Sequence, residues 1–223
     1  MRRTVFVHGS GRAGVEAWPL QAGWPRATFL TRPGFAEGDA PQRTDLDAEP
    51  RLVNEACGEG SDVIAHSYGA IAAIAAAGRA DTAVRALVLC EPAAFSLGRG
   101  RPAVEAHIAA VDPVMRAGLS PADFYVALLS SLGAVDPEPP DSVEALIAAE
   151  RTALQVPPWD VDLDPRVITR IPTLVVTGNW NAEYEELAEV LVELGAHHEH
   201  IEGHGHRPQD AEGFRDLVDR FLG

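Results

Sequence analysis

The stretch Val63-Ile64-Ala65-His66-Ser67-Tyr68-Gly69-Ala70-Ile71-Ala72-Ala73-Ile74 passes from a β-branched run through small-x-Ser-x-Gly into an alanine-rich helical pattern. A serine at such a strand-to-helix turn takes a strained backbone conformation that projects its hydroxyl, so the positions two before and two after it must be small. Ala65 and Gly69 meet that need, although the commoner pattern has glycine at the first of them. A helix opening beside the serine also points unpaired N–H groups and the positive end of its dipole toward any oxyanion formed there. Ser67 is therefore the candidate nucleophile and the Tyr68 amide a candidate oxyanion donor. Small residues are common in this chain, and a bare small-x-Ser-x-Gly match carries little. Its position between an apolar strand and an apolar helix is what gives it weight.

Two further segments add chemistry. Thr4-Val5-Phe6-Val7 reads as a buried strand opening into His8-Gly9-Ser10-Gly11, a loop able to bring backbone N–H groups close to a ligand. The Ser10 amide is the second candidate oxyanion donor, and an ordinary tight turn is the plainer alternative. Gly9, Gly11 and Gly14 spell G-x-G-x-x-G, but no acidic residue closes a second strand some twenty positions on, where Arg32 stands instead, so a dinucleotide loop fits less well. Near the other end, His198 to Ile201 can form a short strand leading into Gly203-His204-Gly205-His206-Arg207-Pro208. Helical spacing of Phe214, Leu217, Val218 and Phe221 follows. His206 is the candidate base, because an imidazole titrating near neutrality can accept the serine proton and return it. His204 is the weaker choice.

By His8-Gly9 after the first strand, Ala65-His66-Ser67-Tyr68-Gly69 at the turn and Gly205-His206-x-Pro208 near the C-terminus, the chain resembles the α/β-hydrolase family. Arg32-Pro33-Gly34-Phe35 and the late strand Ile171 to Gly178 extend the likeness over nearly the whole chain. The family usually places its triad acid in Gly-x-x-Asp after that late strand, whereas this chain has Gly178-Asn179-Trp180-Asn181. Other members draw the acid from the end of the strand after the nucleophile helix, and here Ala86 to Cys90 runs into Glu91-Pro92. Glu91 is therefore the expected acid, with Glu183 and Asp162 in reserve and a loop-tying structural role as the alternative. The resemblance implies a serine hydrolase that cleaves a small or medium ester, thioester or lactone through an acyl-enzyme, without a cofactor. A non-catalytic small-molecule-binding protein on the same scaffold is the rival, since the amide at Asn181 could mark decayed catalysis.

Strand-like runs near 4–7, 27–30, 62–65, 86–90, 173–177 and 198–201 alternate with helix-length segments. The expected fold is thus an α/β-hydrolase fold with a mostly parallel sheet of about six strands flanked by helices. Family members often carry two strands before the first; none is expected here. The alternation fails between 91 and 172, where helical spacing over 103–115, 121–132 and 143–154 predicts a helical lid. The expected division is a core of 1–94 and 166–223 with a lid of 95–165. Phe95, Phe124, Tyr125 and Trp159 are its candidate substrate-contacting walls, though aromatics at helical spacing are more often core.

At 223 residues and 46% hydrophobic content, one domain with an insertion can bury a substantial core. The formal charge of −15, with arginine as the sole strong base, argues against nucleic acid and anionic membrane as partners, and the absence of lysine excludes Schiff-base chemistry. A small-molecule substrate is expected; the sequence leaves the oligomeric state open. Cys57 and Cys90 do not suggest a disulfide framework. No apolar run reaches the eighteen residues of a membrane span, and the chain enters its first strand at once, so neither membrane helix nor signal peptide is expected and a cytoplasmic location follows. His197, His198, His200, His204 and His206 are dense enough to suggest a metal. A strand would put His198 and His200 on one face with His197 opposite, but no His-Glu-x-x-His or Cys-x-x-Cys accompanies them, and no metal is expected.

Overall fold

Strands buried on both faces should read as continuous apolar runs, and the runs found in the sequence form the centre of the computed structural model, which describes residues 3–223. The strands are β1 (Arg3–Val7), β2 (Ala27–Leu30), β3 (Ser61–His66), β4 (Val84–Cys90), β5 (Thr173–Thr177) and β6 (His197–His200). They lie in the order β2-β1-β3-β4-β5-β6, and every pairing is parallel. The chain therefore has the α/β-hydrolase architecture expected of it, with the sheet wholly rather than mostly parallel. Strand order reverses at β1, so the loops after β1 and β3 run to opposite sides of the sheet, and the carboxyl edge at such a reversal is the usual place for a ligand.

Side-chain alternation divides the core into two layers. Val5, Val7, Val63, Ala65, Leu87, Leu89 and Val175 face one side, where α1 (Ala48–Cys57), α2 (Gly69–Gly78) and α7 (Ala182–Glu193) pack. Phe6, Ile64, Val88, Cys90, Leu174 and Val176 face the other, covered by Trp18, Trp24 and α8 (Phe214–Leu222). Helix α8 is amphipathic and buries Phe214, Leu217 and Val218. Helix α2 has no polar face because it is enclosed on nearly all sides, from Gly69 to Ala77, and its alanines let it lie close to the strands.

Between β4 and β5 run α3 (Pro102–Arg116), α4 (Pro121–Ser131), α5 (Val143–Ala153) and the short α6 (Arg166–Arg170). The three predicted insertion helices are thus present within one residue of their expected ends. Pro102 and Pro121 occupy first-turn positions, where a missing N–H costs nothing, and the Ser120 and Ser142 hydroxyls cap α4 and α5 by accepting from Asp123 and Ala145 N–H. Helix α3 packs on α7, α4 on α3, and α5 on α4. Among the described residues no helix is long and apolar enough to cross a membrane. Cys57 and Cys90 are both free and buried.

Candidate active site

Three neighbouring strands deliver left-handed residues to the same edge of the sheet: Ser67 after β3 (φ +52°), Glu91 after β4 (φ +45°) and Asn179 just beyond β5 (φ +51°). Each costs about 1–3 kcal/mol in a residue with a Cβ and persists only where its surroundings fix it. The adjoining strands do so. Ser67 N–H donates to the Cys90 carbonyl and Glu91 N–H to the Val176 carbonyl, both at 2.9 Å, while Ala93 N–H returns to the Ser67 carbonyl at 3.1 Å. Close approach around the serine depends on glycine. A Cβ on Gly69 would stand 2.4 Å from the His8 carbonyl oxygen, and one on Gly9 would stand 2.9 Å from Ser67 Cβ.

His206 Nε2 lies 3.0 Å from Ser67 Oγ, and His206 Nδ1 lies 3.3 Å from Glu91 Oε2. The polarity of this chain follows from its ends: an Nδ1–H donates to the carboxylate, which leaves Nε2 to accept from the serine hydroxyl. Glu91 is fully buried, whereas the His206 side chain is 36% exposed. A buried carboxylate needs donors, and Glu91 receives Gly178 N–H on Oε1 at 2.6 Å and the Trp180 indole N–H on Oε2 at 3.0 Å. Gly178 also lets the histidine loop come close, since a Cβ there would fall 2.2 Å from the Gly205 carbonyl oxygen. His66, beside the serine, donates from Nε2 to the His206 carbonyl at 2.7 Å. Complete burial and the neighbouring His206 hold its pKa well below the ordinary value, so it stays a neutral donor.

The Ser10 and Tyr68 amides make no hydrogen bond to a protein acceptor among the described residues, as an anion site requires. Their side chains are anchored away from the nucleophile. The Ser10 hydroxyl donates to Gln155 Oε1 at 2.9 Å, and the Tyr68 hydroxyl to the Val156 carbonyl at 2.7 Å. Burial pushes the Tyr68 phenol up to about 12. His8 sits under the loop: its Nδ1 hydrogen-bonds to the Gly9 carbonyl, its Nε2 accepts Arg32 N–H, and burial and the Arg32 charge lower its pKa to about 3. Arg32 in turn donates through its guanidinium to Gly9 carbonyl and to both oxygens of Glu49.

Of the other candidates, Asn181 donates to Glu183 Oε1 at 3.0 Å and Glu183 also faces His107 Nδ1 at 3.3 Å, so neither hydrogen-bonds to His206. Asp162 and His204 are exposed. Among the proposed pocket walls, Phe95 is buried beside Tyr184 (centroids 5.3 Å apart), which borders the His206 ring at 5.1 Å. Trp159 is buried in the same apolar core and donates its indole N–H to Asp112 at 2.7 Å, which matches the core alternative more than a wall. Phe124 is buried and Tyr125 half-buried on α4, and neither ring contacts the His206 ring among the described residues. Sequence reasoning missed Tyr184, whose hydroxyl interacts with the Ser67 side chain and whose pKa burial raises. It also missed Trp180. Both lie within seven residues of the carboxyl end of β5, and that edge position was the available signal.

A parallel sheet whose central strand ends in a strained serine, backed by a histidine from a late loop, defines the α/β-hydrolase class. The chain belongs to the alpha/beta hydrolase family, whose sequence pattern it matches over residues 4–220. No curated protein matches it at comparable significance. Similar solved structures include MenH from S. aureus (TM-score 0.62, 15% identity, covering 99% of this chain and 93% of that one). Naproxen esterase from Bacillus subtilis gives a TM-score of 0.62 at 14% identity, over 100% and 84% of the two chains. NosK from Streptomyces actuosus gives 0.60 at 21%, over 100% and 98%.

Proposed function

We propose that this protein is a serine hydrolase that cleaves a small or medium ester, thioester or lactone through an acyl-enzyme. The observation that carries this function is the hydrogen-bonded series from Ser67 Oγ to His206 Nε2 and from His206 Nδ1 to Glu91. Ser67 attacks the substrate carbonyl as His206 takes its proton; Glu91 holds the imidazole in the required tautomer and stabilises the imidazolium. The Ser10 and Tyr68 amides receive the oxyanion. The imidazolium then protonates the leaving group, and a water activated by the same ring releases the acyl group. Helices α3 to α5, within residues 95–165, serve as the cap over this edge, with Phe95 behind Tyr184 on the acyl side.

The test is intact-mass analysis after treatment with a fluorophosphonate. Wild type is expected to gain one adduct rapidly, Ser67→Ala none, and Glu91→Gln the same adduct slowly. A folded wild type that takes up no adduct would instead favour the non-catalytic binding protein.

A further inference from the structure

We propose that Glu185, His198 and His200 form a binding site for a divalent transition-metal ion of the zinc type, distinct from the Ser67 centre and regulatory or structural in role. His198 and His200 are two apart on β6, the edge strand of the sheet, and their rings project to the same face with centroids 4.4 Å apart. His197 faces the opposite way, against Phe221 on α8. Glu185 reaches the same spot from α7, so two elements converge on it. One ligand atom from each of the three residues lies within 4.8 Å of the others. Glu185 Oε2 is 2.8 Å from His200 Nε2 and 3.8 Å from His198 Nε2. Ligands held about 2.1 Å from a tetrahedral ion are about 3.4 Å apart, so small side-chain rotations suffice.

The donor set also selects the ion. Two imidazoles and one carboxylate suit zinc and its first-row neighbours, whereas calcium and magnesium demand oxygen. Glu185 Oε1 is buried without a hydrogen-bond partner, which leaves that carboxylate with unused capacity. Thr177 Oγ1 lies 2.7 Å from His198 Nε2, and an ion bound at that nitrogen would replace this hydrogen bond. With three protein ligands the ion keeps a position for water.

The site's place in the fold gives it a consequence. Glu185 follows Tyr184, which borders His206, and His200 ends the strand that leads directly into the loop carrying His206. A bound ion therefore ties α7 to β6 immediately behind the two elements that flank the nucleophile.

Isothermal titration of the metal-free full chain with Zn2+, repeated with Co2+ for its visible absorption, tests the proposal. One ion per chain is expected, with Co2+ bands of a four-coordinate N/O site and a raised thermal midpoint in Zn2+. His198→Ala, His200→Ala and Glu185→Gln should each weaken binding by at least the 10- to 100-fold that even outer-shell changes cause, while His197→Ala leaves it unchanged. Far-ultraviolet circular dichroism and a cooperative thermal transition of the metal-free variants check that they are folded. Binding that survives the His198→Ala/His200→Ala double substitution, or wild type that takes up no ion, would overturn the proposal.

Discussion

Glu91 is the proposed triad acid, and Asn181 stands where the resemblance more often places that acid. Glu91 is fully buried, receives Gly178 and Trp180 N–H groups, and faces His206 at 3.3 Å; Asn181 instead engages Glu183. Loss of the acid alone in a serine triad lowers kcat by about 10⁴-fold, because the imidazole then adopts the wrong tautomer. Glu91→Gln is accordingly expected to lower kcat on an activated ester by a factor of that order with KM little changed, and Asn181→Ala to leave kcat within about tenfold. Steady-state kinetics on the two variants side by side would decide it, and comparable losses would remove Glu91 from the role. Much of this site was legible in the sequence, since each of Ser67, His206 and Glu91 follows a readable strand. The donors to Glu91 were not. One is a backbone amide and the other an indole that lies 89 positions away along the chain, and no local pattern encodes either.

Helix α2 and the loop after β1 meet at a separation that only glycine permits. A methyl on Gly69 would be 2.4 Å from the His8 carbonyl oxygen and 2.7 Å from that of Val7, and both are backbone atoms of the central strand region, which cannot swing aside. Gly69→Ala is expected to cost at least about 1–3 kcal/mol of stability, the usual penalty of overpacking. Urea unfolding would show it as a lowered midpoint with an unchanged slope. At this scale the sequence was most informative. Continuous apolar runs marked the buried strands, and 3.6-residue periodicity marked α3 to α5 and α8. It could not reveal how α3 leans on α7, because that contact joins residues whose sequence separation exceeds any periodicity window.

Taken whole, the molecule conceals two histidines that must stay neutral. His8 has its pKa lowered to about 3 by burial and by Arg32, and His66 is driven well below 6.5 by burial and by His206. In the unfolded chain both titrate near 6.5. Below that pH the unfolded state binds protons that the folded state refuses, so stability falls as pH drops from 6.5 and continues to fall toward 3. His8 alone is expected to remove about 1.6 kcal/mol between pH 6.5 and 5, the slope rising toward about 1.4 kcal/mol per unit as the unfolded imidazole becomes fully protonated. His66 adds in the same direction. Urea midpoints measured across this range would report the slope, and a flat profile would mean that the folded protein admits the protons. The sequence offered His8 and His66 only as neighbours of motifs; their enclosure depends on the whole sheet closing around them.

Four tryptophans are distributed through the molecule, and three of them, Trp18, Trp24 and Trp159, are buried. Trp180 is 51% exposed, bonded to Glu91 and 6.1 Å from the His206 ring. The emission that a water-soluble quencher can remove is therefore expected to come chiefly from the one indole bonded to Glu91 and set beside His206. This architecture gives the protein an intrinsic optical probe beside Ser67, His206 and Glu91, through which events at that edge of the sheet are expected to be legible without any added label.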